Sequence, residues 1–261
     1  MAVKTNSVKT VRRKKISNNT GNPRYSLTAE EKLLTIRMGV VSVIKGYNIG
    51  RTILGSTGVG KSYAVKDELN EREAKWIEVT GSIQNHIALY EFLYKNNEPN
   101  TIIVFDDCND IIRNKKCVEI LRKAVDISDK RVITFLHANK KFDSLGIPKQ
   151  FDFVARVIIV SNLSKNKIDD AIVSRTSPVE AFLTPAEMFK VIASDVKNAP
   201  PQVPIHFKKE VLHFIEKDIK PENLKRFCFR TFRDCVIWRA ASENYDDKEL
   251  YKKQIYNALC G

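Results

Sequence analysis

The residues most clearly able to do chemistry are a run of glycines that ends in a lysine and a serine. The stretch ILGSTGVGKSYA, residues 53 to 64, has the spacing of a phosphate-binding loop. Glycines let the backbone wrap closely around a polyphosphate, and the N–H groups of the loop and of the next helix form a concavity for anions. The lysine reaches the β- and γ-phosphates, and the serine hydroxyl binds Mg²⁺. The predicted loop consists of Gly55, Ser56, Thr57, Gly58, Val59, Gly60, Lys61 and Ser62.

The residues on either side of this loop decide between a binding site and a plain glycine-rich turn. NIGRTILG is typical of a short buried strand, and KSYAVKDELNE is typical of a helix. A strand, a loop and a helix in that order are the context that the phosphate-binding motif needs. The sequence therefore predicts that the chain binds a nucleoside triphosphate, ATP, together with Mg²⁺.

A pair of carboxylates is the second chemical feature. TIIVFDDCND begins as an unbroken apolar run, typical of a strand covered on both faces, and reaches Asp106 and Asp107. Carboxylates at the carboxyl end of such a strand lie beside the phosphate loop in parallel α/β folds. Asp106 is predicted to hold Mg²⁺ with Ser62, and Asp107 to orient or deprotonate the attacking water. The alternative is a turn that caps the next helix, but the upstream phosphate loop favours the catalytic role.

Strands and helices alternate through the first two thirds of the chain. KWIEVTGS and TIIVFD read as further strands, with the amphipathic helix IQNHIALYEFLYKNN between them. This alternation favours an α/β fold with a parallel sheet. After residue 177 come a linker strand, a helix capped by Thr184 and three more helices beyond the proline-rich NAPPQVP. We predict a nucleotide-binding α/β domain over residues 26–180 and a helical lid over residues 181–261.

Basic residues are unevenly distributed along the chain. The net charge is +13, and residues 1–25 contribute seven Lys or Arg side chains and no acid. This segment is predicted to be a disordered basic arm, which either lies along nucleic-acid phosphates or only aids solubility. The five cysteines lack metal-ligand spacing, and no apolar run reaches the ~20 residues that span a bilayer. We therefore expect a cytoplasmic protein with reduced thiols and no membrane partner.

Several motifs occur together in the order seen in AAA+ ATPases. After the phosphate loop come IIVFDD, RVIIVSN, AIVSR and FRTFRDCVIWRAA, and together they span most of residues 30–245. The chain resembles the compact AAA+ P-loop ATPases found in bacteriophage genomes. The resemblance implies a P-loop NTPase fold of the AAA+ type, with a parallel sheet flanked by helices and a small C-terminal helical lid. It also implies Mg²⁺-dependent ATP hydrolysis in a homo-oligomeric ring, expected to be hexameric, in the host cytoplasm if the protein is phage-encoded.

The same resemblance gives roles to three further side chains. Asn162 matches sensor 1, a polar residue at the end of a strand that helps to place the attacking water. Arg175 matches the arginine finger, which reaches the γ-phosphate in a neighbouring subunit, and Arg230 matches sensor 2 on the lid, with Arg233 as second choice. Guanidinium groups suit this task because charge spreads over the phosphoryl oxygens in the transition state. Each residue also has a plain alternative, as a turn residue, an exposed loop arginine or part of a basic helix face.

The second aspartate departs from the common AAA+ pattern. Most AAA+ proteins have a glutamate after the metal-binding aspartate, whereas this chain has Asp107. Because aspartate has a shorter side chain, either the water lies closer or turnover is slower. A paired Asp–Asp also occurs in the superfamily 3 helicases, a viral branch of the same fold. Nucleotide binding is expected in either case.

A segment inserted before the sensor 1 strand is the candidate for contact with nucleic acid. RVITFLHANKKFDSLGIPKQFDF, residues 131–153, holds a β-rich run, a polar tip and a return. It resembles the pre-sensor-1 β-hairpin of AAA+ proteins that act on DNA, including superfamily 3 helicases, whose tip projects into the pore of a hexamer. The matching tip residues are His137, Asn139, Lys140 and Lys141, although lysines at a loop tip are also common as merely solvated side chains.

These features favour an oligomeric ATPase that acts on nucleic acid, expected to be DNA, in phage replication or DNA processing. It would serve as a helicase, a helicase loader or a translocase, with a replication or packaging protein as partner. Two other classes stay open, an AAA+ protein remodeller and a nucleotide-switched assembly scaffold with weak hydrolysis. The loop TGSIQN lacks the aromatic–apolar–Gly triplet of unfoldases, which favours nucleic acid, while Asp107 keeps the scaffold open.

Overall fold

The computed structural model describes residues 26–83, 85–136, 140–196, 203–247 and 249–261, without the side chains of residues 140 and 141. The predicted basic arm lies outside the described residues. Within them, a parallel sheet lies between two layers of helices, and a further group of helices follows at the C-terminal end.

The described residues form seven strands, of which five make the central sheet. The strands are β1 (Gly50–Gly55), β2 (Trp76–Thr80), β3 (Ile102–Asp106), β4 (Val132–Thr134), β5 (Gln150–Asp152), β6 (Arg156–Ser161) and β7 (Val179–Ala181). The sheet order is β2-β3-β6-β1-β7, with all neighbours parallel. The register pairs Leu54 with Ser161 and Asp106 with Val160, so β1, β3 and β6 end side by side. Their carboxyl ends form the edge at which the site is assembled.

The helices of the described residues flank this sheet and follow it. They are α1 (Ala29–Ile44), α2 (Lys61–Glu71), α3 (His86–Lys95), α4 (Asn109–Arg113), α5 (Lys115–Ala124), α6 (Lys140–Leu145), α7 (Asp170–Thr176), α8 (Pro185–Ser194), α9 (Ile205–Asp218), α10 (Phe229–Ala241) and α11 (Leu250–Cys260). Short 3₁₀ turns occur at Lys165–Lys167, Pro221–Asn223 and Ser242–Asn244. Among these helices none has the length and apolar character needed to cross a bilayer.

The unbroken apolar runs of β3 and β6 reflect burial on both faces of the sheet. Val104 and Ile158 point to the layer that contains α1 and α2. Phe105 and Ile159 point to the opposite layer, which contains α3 and α5. Alternate residues of each strand therefore enter two different cores, which is why no polar–apolar alternation is visible in the sequence. The predicted parallel α/β sheet is confirmed.

Two helix starts follow the sequence signals closely. Thr28 accepts the Glu31 amide at the start of α1, and the Glu31 carboxylate accepts the Thr28 amide. Thr184 and Glu187 form the same reciprocal pair at the start of α8, with Pro185 in the first turn. Such capping boxes satisfy N–H groups that a helix leaves unpaired. They fix where α1 and α8 enter the fold.

The C-terminal helices α8 to α11 have a core of their own. Met188, Phe232 and Ile255 are almost fully buried within it. This core also takes in Val59 of the phosphate loop and Ala29 of α1. The C-terminal helices are therefore packed against the predicted phosphate loop. The domain boundary at residue 181 stays a prediction.

The inserted segment contains an antiparallel strand pair and a short helix. β4 pairs with β5, and α6 lies between them in the chain. The Tyr90 ring of α3 lies 5.2 to 5.4 Å, centroid to centroid, from the rings of Phe135, Phe142 and Phe151. The strand pair of the predicted hairpin is present, but residues 140–145 are helical and Phe142 is buried in the core. Aromatic packing therefore holds the described part of the segment against α3, and the predicted tip residues His137 and Asn139 lie outside the described residues.

Candidate functional site

The phosphate loop joins the end of β1 to the start of α2. Gly58 and Gly60 have φ angles of 76° and 90°, in the left-handed region that glycine adopts without a steric cost. Gly60 is the N-cap residue of α2, and Lys61 is its first helical residue. The unpaired N–H groups of this helix start lie where a polyphosphate would bind. These two glycines therefore have the backbone conformation that the motif requires, while their contact with a phosphate stays a prediction.

Gly55 has a different role from the one that the motif suggests. Its φ angle is not positive, but a Cβ at this position would lie 2.4 Å from the backbone oxygen of Ala181. Only glycine lets β7 approach the end of β1 this closely. The next residue, Ser56, donates its hydroxyl to the Leu183 carbonyl at 3.2 Å. The first half of the loop is thus fastened to the segment that leads into the lid.

Lys61 is held inside the loop that it is predicted to serve. Its Nζ donates to the backbone oxygens of Gly55 and Ser56, both at 2.9 Å, and the residue is 8% exposed. Burial lowers the pKa of the Lys61 ammonium, while the carboxylates of Asp106 and Asp107 oppose this change. A polyphosphate would supply the negative charge that this buried ammonium needs.

Ser62 and Asp106 meet directly at the edge of the sheet. The Ser62 hydroxyl donates to Oδ1 of Asp106 at 2.9 Å, which joins the first turn of α2 to the end of β3. Burial raises the pKa of the Asp106 carboxyl and Glu78 adds to the rise, against the Ser62 hydrogen bond and Lys66. A hydroxyl and a partly buried carboxylate are oxygen ligands of the kind that Mg²⁺ prefers. The residues present therefore fit the predicted metal.

Asp107 turns away from the sheet as soon as β3 ends. Its φ angle is +57°, a left-handed conformation that aspartate tolerates better than most residues. Its amide donates to the carbonyl of Val160 at 3.1 Å, so the turn is tied to β6. This conformation sends the side chain towards the end of β6, where Asn162 lies. The structure thus brings Asp106, Asp107 and Asn162 to one edge of the sheet.

A residue that the sequence reasoning missed connects two of these groups. Nδ2 of Asn109 lies 3.0 Å from Oδ1 of Asp107 and 3.3 Å from Oδ1 of Asn162. Its Oδ1 accepts the Ser161 hydroxyl at 2.6 Å. The only sequence signal is an asparagine two residues after the paired aspartates, at the first position of α4.

Arg175 lies at the end of α7, and its polar contacts are within its own chain. Its Nε lies 3.1 Å from Oδ1 of Asp126, and another nitrogen of the guanidinium donates to the Ala171 carbonyl at 2.9 Å. The neighbouring Thr176 shares a buried hydrogen bond with Thr52 of β1 at 2.8 Å. These contacts join α7 to the strand that leads into the phosphate loop. They do not bring Arg175 to the loop of its own chain.

The start of α10 lies directly on the phosphate loop. The Phe229 amide donates to the Gly58 carbonyl at 3.1 Å. The Cβ of Arg230 lies 3.9 Å from the point where a Cβ on Gly58 would stand. Arg233, the second choice for sensor 2, pairs with Asp234 at 3.2 Å. Arg230 is therefore beside the loop, while its role as sensor 2 stays a prediction.

The predicted nucleic-acid residues are only partly described. His137 and Asn139 lie outside the described residues. Lys140 and Lys141 begin α6, and their side chains are outside the description as well. Their predicted contact with nucleic acid stays a prediction.

Sequence comparison gives one phage relative. No protein-family model matches the chain. Over 132 residues, 48% of the chain, it is 27% identical to a protein of Enterobacteria phage T4, described as an uncharacterized 36.7 kDa protein of the nrdC–mobD intergenic region. The match spans 40% of that protein's length.

Structural comparison gives the fold class. RuvB of Thermotoga maritima, described as a Holliday junction branch migration motor, matches with a TM-score of 0.53 and 11% identity, over 87% of this chain and 68% of that one. A point mutant of the same protein matches with a TM-score of 0.55 and 12% identity over the same shares. At such identities the likeness concerns the fold alone. The chain has a parallel α/β fold with flanking helices, like that of these RuvB structures, and a further group of helices follows at its C-terminal end.

Proposed function

We propose that this chain is a Mg²⁺-dependent AAA+ ATPase that works as an oligomeric ring on nucleic acid. The observation that carries the proposal is the hydrogen bond between Ser62 and Asp106 at 2.9 Å. It brings the end of the phosphate loop and the end of β3 together, so that one divalent cation and one polyphosphate fit the same edge. A glycine-rich turn without a ligand gives no reason for Lys61 to be buried beside this pair.

Each residue of the site has a task in hydrolysis. Lys61 holds the β- and γ-phosphates, and Ser62 with Asp106 holds Mg²⁺, which neutralises charge on the phosphate oxygens when it is bound. Asp107 orients the attacking water and accepts its proton, and Asn162 helps to place that water. The backbone of Asp107 turns at φ +57°, and the Asn109 amide contacts both the Asp107 carboxylate and the Asn162 side chain. The catalytic groups are thus fixed by backbone that is already ordered.

The proposed ring assembly rests on the roles given to Arg175 and Arg230. By its match to the arginine finger of AAA+ proteins, Arg175 serves the γ-phosphate held by a neighbouring subunit. Its contacts with Asp126 and Ala171 support this role only in that they do not tie the side chain to the loop of its own subunit. Arg230 completes the site from the lid of the same subunit as the loop. ATP is then bound between subunits, and the homo-oligomer is a closed ring, which we expect to be a hexamer.

The substrate is nucleic acid, with DNA as the first choice. The net charge of +13 and the seven basic residues before residue 26 favour a polyanionic partner. The fold shared with RuvB, a branch migration motor, supports action on DNA, and the relative in phage T4 supports a place in phage biology. We therefore propose a role in phage DNA replication or processing as helicase, helicase loader or translocase, with a replication or packaging protein as partner, in the host cytoplasm.

Measuring ATP turnover with and without single-stranded DNA, duplex DNA and RNA tests this function. The proposal predicts turnover that depends on Mg²⁺ and rises severalfold with one of the nucleic acids. Turnover that no nucleic acid changes would favour the protein remodeller. ATP binding without turnover would favour the assembly scaffold, which the short Asp107 side chain keeps open.

A further inference from the structure

We infer that Asn109 is a positioning residue that orients both Asp107 and Asn162 for attack by water. The inference rests on the proposed ATPase function and concerns the same site. It assigns a task to a residue that lies outside the phosphate loop and outside the matched sensor positions. The geometry behind it is the single amide of Asn109, placed 3.0 Å from Asp107 Oδ1 and 3.3 Å from Asn162 Oδ1.

The chemistry of the partners fixes which way this amide faces. An ionised carboxylate only accepts hydrogen bonds, so the atom of Asn109 that faces Asp107 is its NH₂ group. Its carbonyl oxygen then faces Ser161, whose hydroxyl donates to it at 2.6 Å. The oxygen of the same hydroxyl accepts the Leu163 amide at 3.1 Å. Donors and acceptors match at each of these contacts, which leaves one orientation for Asn109.

This orientation determines what the two neighbouring side chains present to a substrate. The second N–H of Asn109 meets Oδ1 of Asn162, so the NH₂ group of Asn162 points away from Asn109. On Asp107, one carboxylate oxygen is taken by Asn109 and the other remains to accept from water. Within the described residues no hydrogen bond is made by that second oxygen or by the NH₂ group of Asn162. One acceptor on Asp107 and one donor on Asn162 thereby remain available, and these are the two kinds of group that placing a nucleophilic water requires.

The anchor of this network is rigid. Ser161 is 1% exposed and pairs with Leu54 in the sheet, next to the strand that enters the phosphate loop. Asn109 is the first residue of α4, which is held by the buried side chains of Ile111 and Ile112. Neither end of the network can shift without disturbing the core. Asn109 therefore holds the side chains of Asp107 and Asn162 in a fixed orientation relative to each other.

Replacing Asn109 separates positioning from a merely structural role. Asn109→Asp keeps the shape and the acceptor for Ser161 but removes both donors, and Asn109→Ala removes the group without adding charge. We expect kcat to fall roughly a hundredfold in both variants, the loss that a small misplacement of reacting groups causes. The affinity for a fluorescent ATP analogue and the midpoint of thermal unfolding should stay close to wild type. An interaction made only in the transition state gives this split between kcat and KM.

A matched control lies on the same segment. Asn114 caps α5 through its Oδ1, which accepts the amides of Lys116 and Cys117. Asn114→Asp keeps that acceptor, so kcat and affinity should both stay at the wild-type level. Ser161→Ala, which frees the Asn109 amide to turn, should lower kcat by roughly tenfold with affinity unchanged.

The measured kcat and ATP affinity of these variants decide whether Asn109 is a positioning residue. Asn109 variants with the kcat of Asn114→Asp would overturn it, and so would a loss of ATP affinity as large as the loss of kcat. A low kcat in Asn109→Asp alone, with Asn109→Ala active, would assign the effect to the added charge and overturn it too. Wild-type protein that binds ATP without turnover would contradict the proposed function itself. Active wild type with unaffected Asn109 variants would remove the inference and leave the ATPase in place.

Discussion

The carbonyl of Gly58, in the phosphate loop, accepts a hydrogen bond at 3.1 Å from the amide of Phe229, the first residue of the lid helix α10. A Cβ on Gly58 would lie 2.4 Å from the sulfur of Cys228. The predicted phosphate loop and the helix that carries Arg230 are therefore in backbone contact. If the loop binds nucleotide as proposed, this backbone contact links it directly to α10.

Adding a methyl group at Gly58 tests this contact. In Gly58→Ala the new Cβ meets Cys228, and the φ angle of 76° carries its own cost of about 1–2 kcal/mol. Gly146→Ala is the control, because Gly146 has a φ angle of 65° and open space around the missing Cβ. Denaturant unfolding should show the backbone cost in both, and only Gly58→Ala should bind a fluorescent ATP analogue more weakly. Equal ATP affinity in the two variants would contradict a loop that depends on the lid.

Lys61 should be essential for nucleotide affinity. Its ammonium is buried at the loop, so Lys61→Ala leaves the β- and γ-phosphates without their cation. We expect the Kd for ATP to rise on the order of a hundredfold or more, as when one partner of a buried charge pair is removed. Lys95→Ala, which removes an exposed ion pair with Glu91, serves as control. Isothermal titration with Mg-ATP measures both, and similar Kd values would exclude Lys61 from binding.

Mixed rings test whether Arg175 acts between subunits. Arg175→Ala subunits should bind ATP normally, because the polar contacts of this side chain are with Asp126 and Ala171 and not with the loop. When these subunits are mixed with wild-type subunits, total turnover should be lower than the wild-type fraction alone would give. The reason is that each Arg175→Ala subunit fails to supply the arginine that its neighbour needs. The measurement is total ATP turnover as a function of the fraction of wild-type subunits in the mixture. A straight line in proportion to the wild-type share would mean that Arg175 acts within its own subunit or not at all.

Replacing the lysine pair at the start of α6 tests whether this segment contacts nucleic acid. Phosphate contacts carry no sequence information and weaken with salt. Lys140→Ala combined with Lys141→Ala should abolish stimulation by nucleic acid and flatten the salt dependence of binding, with basal turnover unchanged. Lys252→Ala with Lys253→Ala, an adjacent pair on α11, removes the same charge elsewhere. If both double variants are stimulated like wild type, the inserted segment does not make the phosphate contacts, and the basic arm becomes the candidate for them.

Local signals explain how much of the fold the sequence could predict. The phosphate loop, the apolar run of β3 and the capping signals at Thr28 and Thr184 each depend on neighbouring residues, and the structure has all of them. The parallel sheet follows because strands buried on both faces alternate with helices. The short helix over residues 140–145 was not predicted, because it is favoured by the burial of Phe142 against Tyr90, a residue 52 positions earlier in the chain.

Contacts between distant residues explain what the sequence could not predict. Asn109 and Asn162 are 53 positions apart, and Asp126 and Arg175 are 49 positions apart. No periodicity or motif joins such pairs. The first pair meets because the sheet register sets the ends of β3 and β6 side by side, and the second meets because α5 and α7 are in contact. The role of Gly55 likewise depends on β7, which arrives from the far end of the domain. Sequence motifs name the reacting groups, and tertiary packing decides how they are held.

Asp107 is proposed to serve hydrolysis and not nucleotide binding, and single-turnover hydrolysis of Mg-ATP separates these two roles. Asp107→Asn keeps the side-chain shape but cannot accept a proton, so it should bind ATP with wild-type affinity and leave the γ-phosphate uncleaved. Asp110→Asn, an exposed carboxylate in the first turn of α4, should cleave ATP at the wild-type rate. Cleavage by Asp107→Asn at the rate of Asp110→Asn, with ATP bound equally well, would contradict the account.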